Sequence, residues 1–285
     1  PDALLAQVLM ATTYPSDVGL AADWAFANRN LEGDAATKAV QDKLNAALMA
    51  EVTTALRAFE ADRAIRAVVL SGEGRAFSAG FDLKEAAVNN YTTAVEWRGA
   101  IEADFDFIMQ FWDCRKPTIA AVHGFCVGGG LELAMACDLV IAGEDAVFGQ
   151  PEVRFGSGIV AMLVPWMVGP KLAKDILLSG NDRIPASRAA EIGLITEKVA
   201  AGSHLERAME KAREIAQAAP LSVELTKRAI NRGFDIRGMR SALLAAAETE
   251  ILIEASAGEE RREFNRIRGE EGLKEAIAWR DARYR

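Results

Sequence analysis

The 285-residue chain is poor in histidine and cysteine. It has two histidines, His123 and His204, and three cysteines, Cys114, Cys126 and Cys137. An odd number of cysteines without metal-ligand spacing argues against a disulfide framework and a zinc site, and fits reduced, packed thiols. The histidines give no basis for a Ser-His-Asp or Cys-His triad. We therefore expect a cytoplasmic protein with no metal.

Excess basic charge and long apolar runs are also missing. The chain has 33 Lys and Arg against 41 Asp and Glu, a net charge of −8, which disfavours a nucleic-acid-binding face. The longest apolar run, GIVAMLVPWMVG (158–169), is too short to span a bilayer and contains Pro165. The opening PDALLAQVLM lacks the basic start of a secretory signal. We expect neither a nucleic-acid partner nor a membrane partner.

What the chain does contain is a repeated pattern of strands, glycine turns and helices. Apolar spacing predicts helices over 46–62 and 92–113, and strands over 65–72, 118–124, 138–143 and 146–149. Strand, glycine turn and helix recur in VVLSGEGRAFSAGFDLKE and again in IAAVHGFCVGGGLELA. This recurrence favours an α/β spiral of strand–strand–helix units over a single doubly wound sheet.

The composition changes after about residue 203 to Ala, Glu, Lys and Arg in helical patterns. We therefore divide the chain into an α/β core, 1–203, and a helical C-terminal region, 204–285. The segment GMRSALLAAAETEILIEASAG (238–258) has a wider apolar face than a solvated helix needs. That face packs either on the chain's own core or on another subunit.

Two glycine turns are candidate sites for binding an oxygen atom. The triplet GGG (128–130) lies between a predicted strand and a predicted helix, where amides are unpaired and carry partial positive charge. A second turn lies in RAFSAGFDLKE (75–85), where Asp82 and Glu85 form a D-x-x-E capping box and the amide near Phe81 is free. One amide from each turn could polarise a single carbonyl. Alternatively, both turns hold glycine only for tight packing.

Two glutamates flank this predicted oxygen site. Glu132 lies in an otherwise apolar helix, and Glu152 follows twenty residues later in FGQPEVRFG. Burial and a second nearby carboxylate both raise the pKa of a carboxyl group, towards the range useful for proton transfer near neutral pH. The simpler alternatives are that Glu132 is solvated and that Glu152 pairs with Arg154.

These motifs together resemble one known family. In order and spacing, RAFSAGFDLKE, KPTIAAVHGFCVGGGLELAMACDLVIA and FGQPEVRFG are similar to the enoyl-CoA hydratase/isomerase (crotonase) superfamily over residues 43–285. The similarity is closest to enoyl-CoA hydratases, which have both glutamates. The resemblance implies a crotonase-like spiral of ββα units with a C-terminal helical region, assembled as a homotrimer or a hexamer. It also implies an acyl-CoA thioester substrate and no cofactor beyond the coenzyme A of that substrate.

The resemblance further implies the role of each residue in reversible hydration of a 2-enoyl-CoA. The amides of Phe81 and Gly129 would hold the thioester oxygen, Glu152 would exchange the α-proton, and Glu132 would activate the water. Further substrate-binding positions carried over are Lys43, Ala46, Ala79, Gly128, Met162 and Trp166. Three alternatives stay open: Δ3–Δ2 isomerisation with Glu152 alone, another acyl-CoA hydrolase or lyase reaction, and a non-catalytic or RNA-binding relative.

Two stretches depart from the family pattern. Gln41 stands where a proline is expected and 24–40 matches the opening strands poorly, so about the first 40 residues are atypical. After Glu152, RFGSGIVAMLVPWMVG replaces a glycine-rich hydratase segment, which predicts an altered acyl specificity. Its GSGIVA fits a dinucleotide-binding turn only weakly, because no long strand precedes it. The resemblance also implies that Phe264 contacts the nucleotide part of coenzyme A.

Overall fold

The structure is a computed structural model that describes residues 4–10, 44–83, 89 and 91–284. Its described strands are β1 (Leu4–Met10), β2 (Ile65–Gly72), β3 (Ala76–Ser78), β4 (Thr118–Val122), β5 (Phe125–Val127), β6 (Leu139–Gly143), β7 (Val147–Gly149), β8 (Ile184–Pro185) and β9 (Glu197–Val199). One sheet has the parallel order β1-β2-β4-β6-β9. The other has the order β3-β5-β7-β8, and in it only β8 runs antiparallel to its neighbour.

From β2 to β7, consecutive strands alternate between the two sheets. The chain passes from β2 to β3, from β4 to β5 and from β6 to β7, and each of these steps leaves the first sheet for the second. The described helices are α1 (Ala46–Ala61), α2 (Ala94–Asp113), α3 (Gly129–Ala136), α4 (Val164–Val168), α5 (Pro170–Ser179), α6 (Ala186–Glu191), α7 (His204–Ala216), α8 (Pro220–Ile236), α9 (Met239–Ser256), α10 (Glu259–Glu270) and α11 (Leu273–Ala282). Helices follow each strand pair, which confirms the predicted spiral of ββα units.

The strand β2 is apolar throughout because both faces of its sheet are covered. Val68 and Leu70 point into the main core, and Ala67 and Val69 point to the other side, where they meet Ala208 and other small residues of α7. Successive side chains of a strand alternate between faces, so a strand covered on both sides reads as a continuous apolar run. This run is why the sequence predicted β2 at its observed bounds.

The other long elements also lie where the sequence predicted them. Helix α2 begins with a capping box in which Thr93 and Glu96 satisfy each other's backbone N–H groups. It buries an aromatic and aliphatic face that includes Phe105, Ile108 and Phe111. The predicted strands over 118–124, 138–143 and 146–149 are confirmed as β4, β6 and β7. The strands β1, β3, β5, β8 and β9 were not predicted.

Beyond Val199 every described element is a helix, so the C-terminal helical region is present. Helix α8 is fixed to the core through an ion pair between the buried Lys227 and the half-buried Asp138, with Nζ and Oδ2 2.7 Å apart. Asp138 also accepts a 2.7 Å hydrogen bond from the Thr118 N–H at the start of β4. In the part of the chain that is described, no helix is long and apolar enough to cross a membrane.

Candidate active site

The two glycine turns found in the sequence lie against each other. The turn after β3 is held by Leu44, whose N–H donates to Gly80 O at 2.9 Å and whose carbonyl accepts from Asp82 N–H at 2.8 Å. On the other side of that turn, a Cβ atom on Gly80 would lie 3.2 Å from Gly129 N. The ring of Phe81 covers Gly129, since a Cβ there would lie 2.5 Å from Phe81 Cε2. The structure therefore brings Phe81 and Gly129 together.

The backbone N–H groups of both residues lie outside the backbone hydrogen bonds that hold the two turns. The bridge between Leu44 and Phe81 uses the carbonyl of Gly80 and the N–H of Asp82, so the N–H of Phe81 is left out of it. Gly129 is the first residue of α3, where an N–H has no intrahelical acceptor. Among the described residues neither N–H has a backbone acceptor outside its own helix or strand. Two N–H groups from separate turns are thus left without a backbone acceptor where the turns meet.

Each glycine of the triplet also makes room for a neighbouring group. Gly128 has φ +59° and ψ −134°, a conformation suited to glycine, and a Cβ on it would lie 2.6 Å from Glu152 Oε1. A Cβ on Gly130 would lie 2.6 Å from Ser78 Cβ. Tight packing, one of the two alternatives that the sequence left open for these turns, is therefore present around Gly128 and Gly130.

Glu132 is buried, at 2% exposure, so the alternative of a solvated helix glutamate is wrong. Its Oε1 accepts a 2.7 Å hydrogen bond from Gln150 Nε2, and its Oε2 accepts a 2.6 Å bond from the N–H of Ala161. Burial raises the pKa of Glu132 well above its usual value, and the charge of Glu152 raises it further, while the two donors oppose the shift. The carboxyl group is therefore held in one position and coupled to Glu152.

Glu152 opens a short 3-10 turn, Glu152–Phe155, directly after Pro151. Its Oε2 is buried and has no hydrogen-bond partner among the described residues. Burial raises the pKa of Glu152 to about 8. Arg154 instead pairs with Asp182, at 3.1 Å, so the proposed pairing of Glu152 with Arg154 is wrong.

The turn that carries Glu152 is anchored by aromatic stacking. The rings of Phe155 and Phe264 stack with centroids 5.0 Å apart, and Phe264 is fully buried. A ring enclosed in this way has no free face for a nucleotide, so the weak expectation for Phe264 is wrong in this chain. Helix α10 contributes to the site by fixing the position of Glu152.

The other carried-over positions lie at different distances from the carboxyl pair. Gly128 contacts Glu152 directly. Ala79, the residue before Gly80, is exposed. Ala46 is exposed at the start of α1, two residues after Leu44, and lines a separate groove between α1 and α2. Met162 and Trp166 are half-buried in and beside α4, and Lys43 lies outside the described residues, as does the Glu85 half of the predicted capping box.

Sequence reasoning missed two groups that orient Glu132 and one further acid. Gln150 lies two residues before Glu152, and nothing in the sequence around it indicates that its amide donates to Glu132 on α3. The Ala161 N–H is a backbone donor, which no residue type reveals. Glu250 on α9 is buried at 3% exposure and lies close enough for its charge to act on Glu152. In the sequence ETEILIE (248–254), the spacing of Glu250 among other acids is typical of an exposed, charged helix face.

The cysteines and the acids give no other candidate centre in the described part of the chain. Cys114, Cys126 and Cys137 are buried and free. No group of three or more metal-ligating side chains occurs among the residues that the structure describes. The two buried carboxyl groups, Glu132 and Glu152, beside the turns of Phe81 and Gly129 can support acid–base chemistry.

Comparison with known families gives two matches along the chain. The family model described as enoyl-CoA hydratase/isomerase matches residues 37–270. A second model, described as a protein of unknown function (DUF3300), matches residues 1–54. The first match spans most of the chain, including both glycine turns and both glutamates.

Individual relatives and solved structures agree with the first match. A probable enoyl-CoA hydratase of Rhizobium meliloti is 39% identical over 206 residues, which is 68% of this chain and 74% of that protein. A putative enoyl-CoA hydratase of Thermus thermophilus is 40% identical over 182 residues, 61% of this chain and 69% of that protein. The crystal structure of an enoyl-CoA hydratase/isomerase from Xanthobacter autotrophicus Py2 superposes with a TM-score of 0.83 at 47% identity, covering 85% of this chain and 90% of that one. The chain belongs to the enoyl-CoA hydratase/isomerase family and is an enzyme of the hydro-lyase type.

Proposed function

We propose that the chain catalyses the reversible addition of water to a 2-enoyl-CoA thioester. The observation that carries this proposal is the pair of buried, coupled carboxyl groups, Glu132 and Glu152, beside the abutting turns of Phe81 and Gly129. An isomerase needs one proton carrier. Hydration needs a second group that activates the water, and Glu132, a buried carboxyl group with two hydrogen-bond donors of its own, would supply it.

The two turns would bind the thioester carbonyl oxygen. As water adds to the β-carbon, negative charge moves onto that oxygen, and the N–H groups of Phe81 and Gly129 stabilise it there. Donors fixed in advance need no reorganisation when the charge develops, and losing one such donor typically costs about 2.7–4 kcal/mol of transition-state stabilisation.

The two glutamates would divide the proton transfers. Glu132, as carboxylate, takes a proton from the water while the water oxygen bonds to the β-carbon. The double-bond electron pair moves to form the enolate, and protonated Glu152 then gives its proton to the α-carbon. One proton has entered Glu132 and one has left Glu152, so a proton exchange between the pair or with solvent restores the starting state. The reverse sequence eliminates water.

The hydrogen bonds support this assignment of acid and base. Glu132 accepts bonds from Gln150 and from the backbone of Ala161, and both favour its ionised form. Glu152 Oε2 has no such donor among the described residues. Because two nearby carboxylates resist ionising together, the pair would share a single proton. Burial and the charge of Glu152 raise the pKa of Glu132, so these hydrogen bonds must keep the shared proton on Glu152 for Glu132 to act as the base.

The proposal includes an acyl-CoA substrate, no additional cofactor, a cytoplasmic location and a homotrimeric or hexameric assembly. Exposed apolar side chains on the C-terminal helices support subunit contact. On α8 and α9 they are Leu221, Leu225, Ile230, Ile236, Leu244, Leu252 and Ile253. Sedimentation of the purified chain tests the assembly, and a monomer at micromolar concentration would contradict it.

The reaction is tested by assaying the purified chain on 2-enoyl-CoAs of increasing length. Loss of the conjugated-enoyl absorbance, with the 3-hydroxyacyl-CoA identified by mass in ¹⁸O-labelled water, is the expected result. Parallel assays with 3-enoyl-CoA and for free thiol release distinguish isomerisation and thioester hydrolysis. Either of those activities without ¹⁸O incorporation at the β-carbon would contradict the proposed hydration.

A further inference from the structure

Glu250 is a buried acid that the proposed reaction does not use. It lies on α9, it is 3% exposed, and its Oε2 has no hydrogen-bond partner among the described residues. Glu254, one turn further along the same helix, is equally buried but pairs with Arg261 at 2.7 Å and also accepts from the Ser157 hydroxyl. Of these two acids, Glu250 is the one whose Oε2 is left without a partner.

This carboxyl group lines a cavity of about 350 Å³ between α9 and the segment that follows Glu152. The walls are mostly apolar and include Val153, Ile159, Met162, Leu177 and Ile253. Lys174 also lines it, from an exposed position on α5. An apolar cavity with one buried polar group is typical of a small-molecule site that fixes the orientation of its ligand.

Gly158 allows the carboxyl group to reach this position. A Cβ on Gly158 would lie 1.6 Å from Glu250 Oε2, so any side chain there would exclude the carboxyl group from its present place. Gly158 belongs to the GSGIVA stretch that weakly resembled a dinucleotide turn. The structure explains this glycine by its contact with an acid, and a nucleotide phosphate is not needed to account for it.

The cavity borders the proposed catalytic pair. The segment 158–162 contributes Gly158, Ile159 and Met162 to the cavity, while its Ala161 N–H holds Glu132. Besides burial, the charge of Glu250 raises the pKa of Glu152, and the charge of Glu132 raises that of Glu250. This segment also departs from the hydratase pattern in the sequence, which predicted a change in acyl specificity.

We propose that this cavity holds the distal part of the acyl group and that the Glu250 carboxyl group binds a hydroxyl group carried on it. The inference rests on the proposed function, since it names the class of acyl-CoA that the same site accepts. A hydroxyl group donates to an ionised carboxyl group and accepts from a protonated one, so it satisfies Glu250 in either state. An unsubstituted alkyl chain leaves Oε2 unpaired, and an acyl carboxylate is repelled by the surrounding glutamates.

The test compares matched acyl-CoA pairs that differ in one terminal hydroxyl group. For 2-enoyl-CoAs of six, eight and ten carbons, kcat/KM of the wild-type chain is measured with and without an ω-hydroxyl group. We expect a preference of roughly tenfold or more for the hydroxylated member at one chain length, because a site built for a hydroxyl rejects its absence. Glu250→Leu should remove or reverse that preference. Glu248→Leu, at an exposed position on the same helix, should retain it.

A ratio of binding affinities tests this inference independently of the proposed reaction. Calorimetric Kd values for the saturated acyl-CoA pairs measure the same preference without turnover, so they remain informative if the chain hydrates none of the enoyl-CoAs. Equal affinity for both members in the wild-type chain would overturn the inference, as would a preference that persists in Glu250→Leu. Stronger binding of ω-amino or ω-carboxyl acyl-CoAs would overturn the assignment of a hydroxyl group.

Discussion

The carboxyl group of Glu152 lies directly against the backbone of Gly128, so that a Cβ atom on Gly128 would be 2.6 Å from Glu152 Oε1. Gly128 is the residue before Gly129, whose N–H is a proposed donor to the thioester oxygen. The turn proposed to bind the oxygen and the proposed α-carbon acid are therefore in direct contact. A change in either one displaces the other.

Gly128→Ala should remove activity by displacing Glu152. The added methyl group meets Oε1 and also forces a side chain onto a backbone with φ +59°. A displacement of about 1 Å at a reacting group can cost roughly 100-fold, so we expect kcat/KM on a 2-enoyl-CoA to fall by at least that factor. Steady-state kinetics measure it.

The matched control is Gly202→Ala. Gly202 also has a positive φ, +80°, but a Cβ there meets nothing within 4 Å. Both variants lose some thermal stability from the backbone strain, and only Gly128→Ala should lose catalysis. If the two variants keep similar kcat/KM values, the contact between Gly128 and Glu152 has no catalytic importance.

Glu132→Gln should stop hydration and leave α-proton exchange intact. The amide cannot take a proton from water, and general acid–base groups contribute about 10²- to 10⁴-fold, so hydration should fall within that range. Exchange of the α-proton of a saturated acyl-CoA in D₂O, followed by NMR, depends on Glu152 and should continue. Glu152→Gln should abolish both reactions.

The exposed Glu144 gives the control for this pair of variants, because Glu144→Gln changes the same functional group away from the site. It should keep both reactions at wild-type rates. Hydration that survives in Glu132→Gln would show that the water is activated elsewhere. Exchange that stops in Glu132→Gln would show that the two glutamates do not divide the protons as proposed.

The parts of the fold that could be predicted from the sequence are those that local patterns form. The strand β2 and the helix α2 were predicted because each is long and its apolar residues are continuous or helically spaced. The three-residue strands β3 and β5 are too short to show a period, and they become strands only by pairing with neighbours, β3 with β5 and β5 with β7. Tertiary contact, which a local pattern does not record, defines them.

The same reason explains which acids were found. Glu132 was conspicuous in the sequence because its helix is otherwise apolar, and the structure shows that this helix is buried on all sides. Glu250 was not, because its neighbours Glu248 and Glu254 make the helix look charged and solvated. Its burial depends on the 158–162 segment packing over it, and on Arg261 from α10 neutralising Glu254. Neither contact can be read from spacing within α9.

Gln150→Leu should move the acidic limb of the pH profile to higher pH. The Gln150 amide stabilises the ionised form of Glu132, so removing it raises the pKa of Glu132. The base is then protonated at a higher pH, and the acidic limb of kcat/KM should shift upwards by roughly one unit, as expected for losing one hydrogen bond to a charge. Gln110→Leu, which loses only a bond to Thr53, should leave the profile unchanged. An acidic limb that does not shift in Gln150→Leu would contradict the proposed stabilisation of ionised Glu132 by Gln150.

Glu250→Gln should stabilise the chain increasingly as the pH rises. Burial raises the pKa of Glu250 from 4.5 to about 8, so below pH 4.5 both folded and unfolded states are protonated and there is no penalty. Between these values the unfolded state ionises and the folded state does not, so the wild-type chain loses stability, by at most about 5 kcal/mol. Above about pH 8 the loss is constant.

Thermal melts of the wild-type chain and of Glu250→Gln from pH 5 to pH 8.5 measure this effect. The Tm difference in favour of the variant should be small at pH 5, grow through neutral pH and level off near pH 8, because the amide has no proton to lose. Glu248→Gln is the control. Arg98 holds the pKa of Glu248 below its usual value, so Glu248 stays ionised over this range and the Tm difference of this variant should not change with pH. A Tm difference for Glu250→Gln that is constant from pH 5 to pH 8.5 would mean that Glu250 is ionised inside the folded chain and already has a partner there.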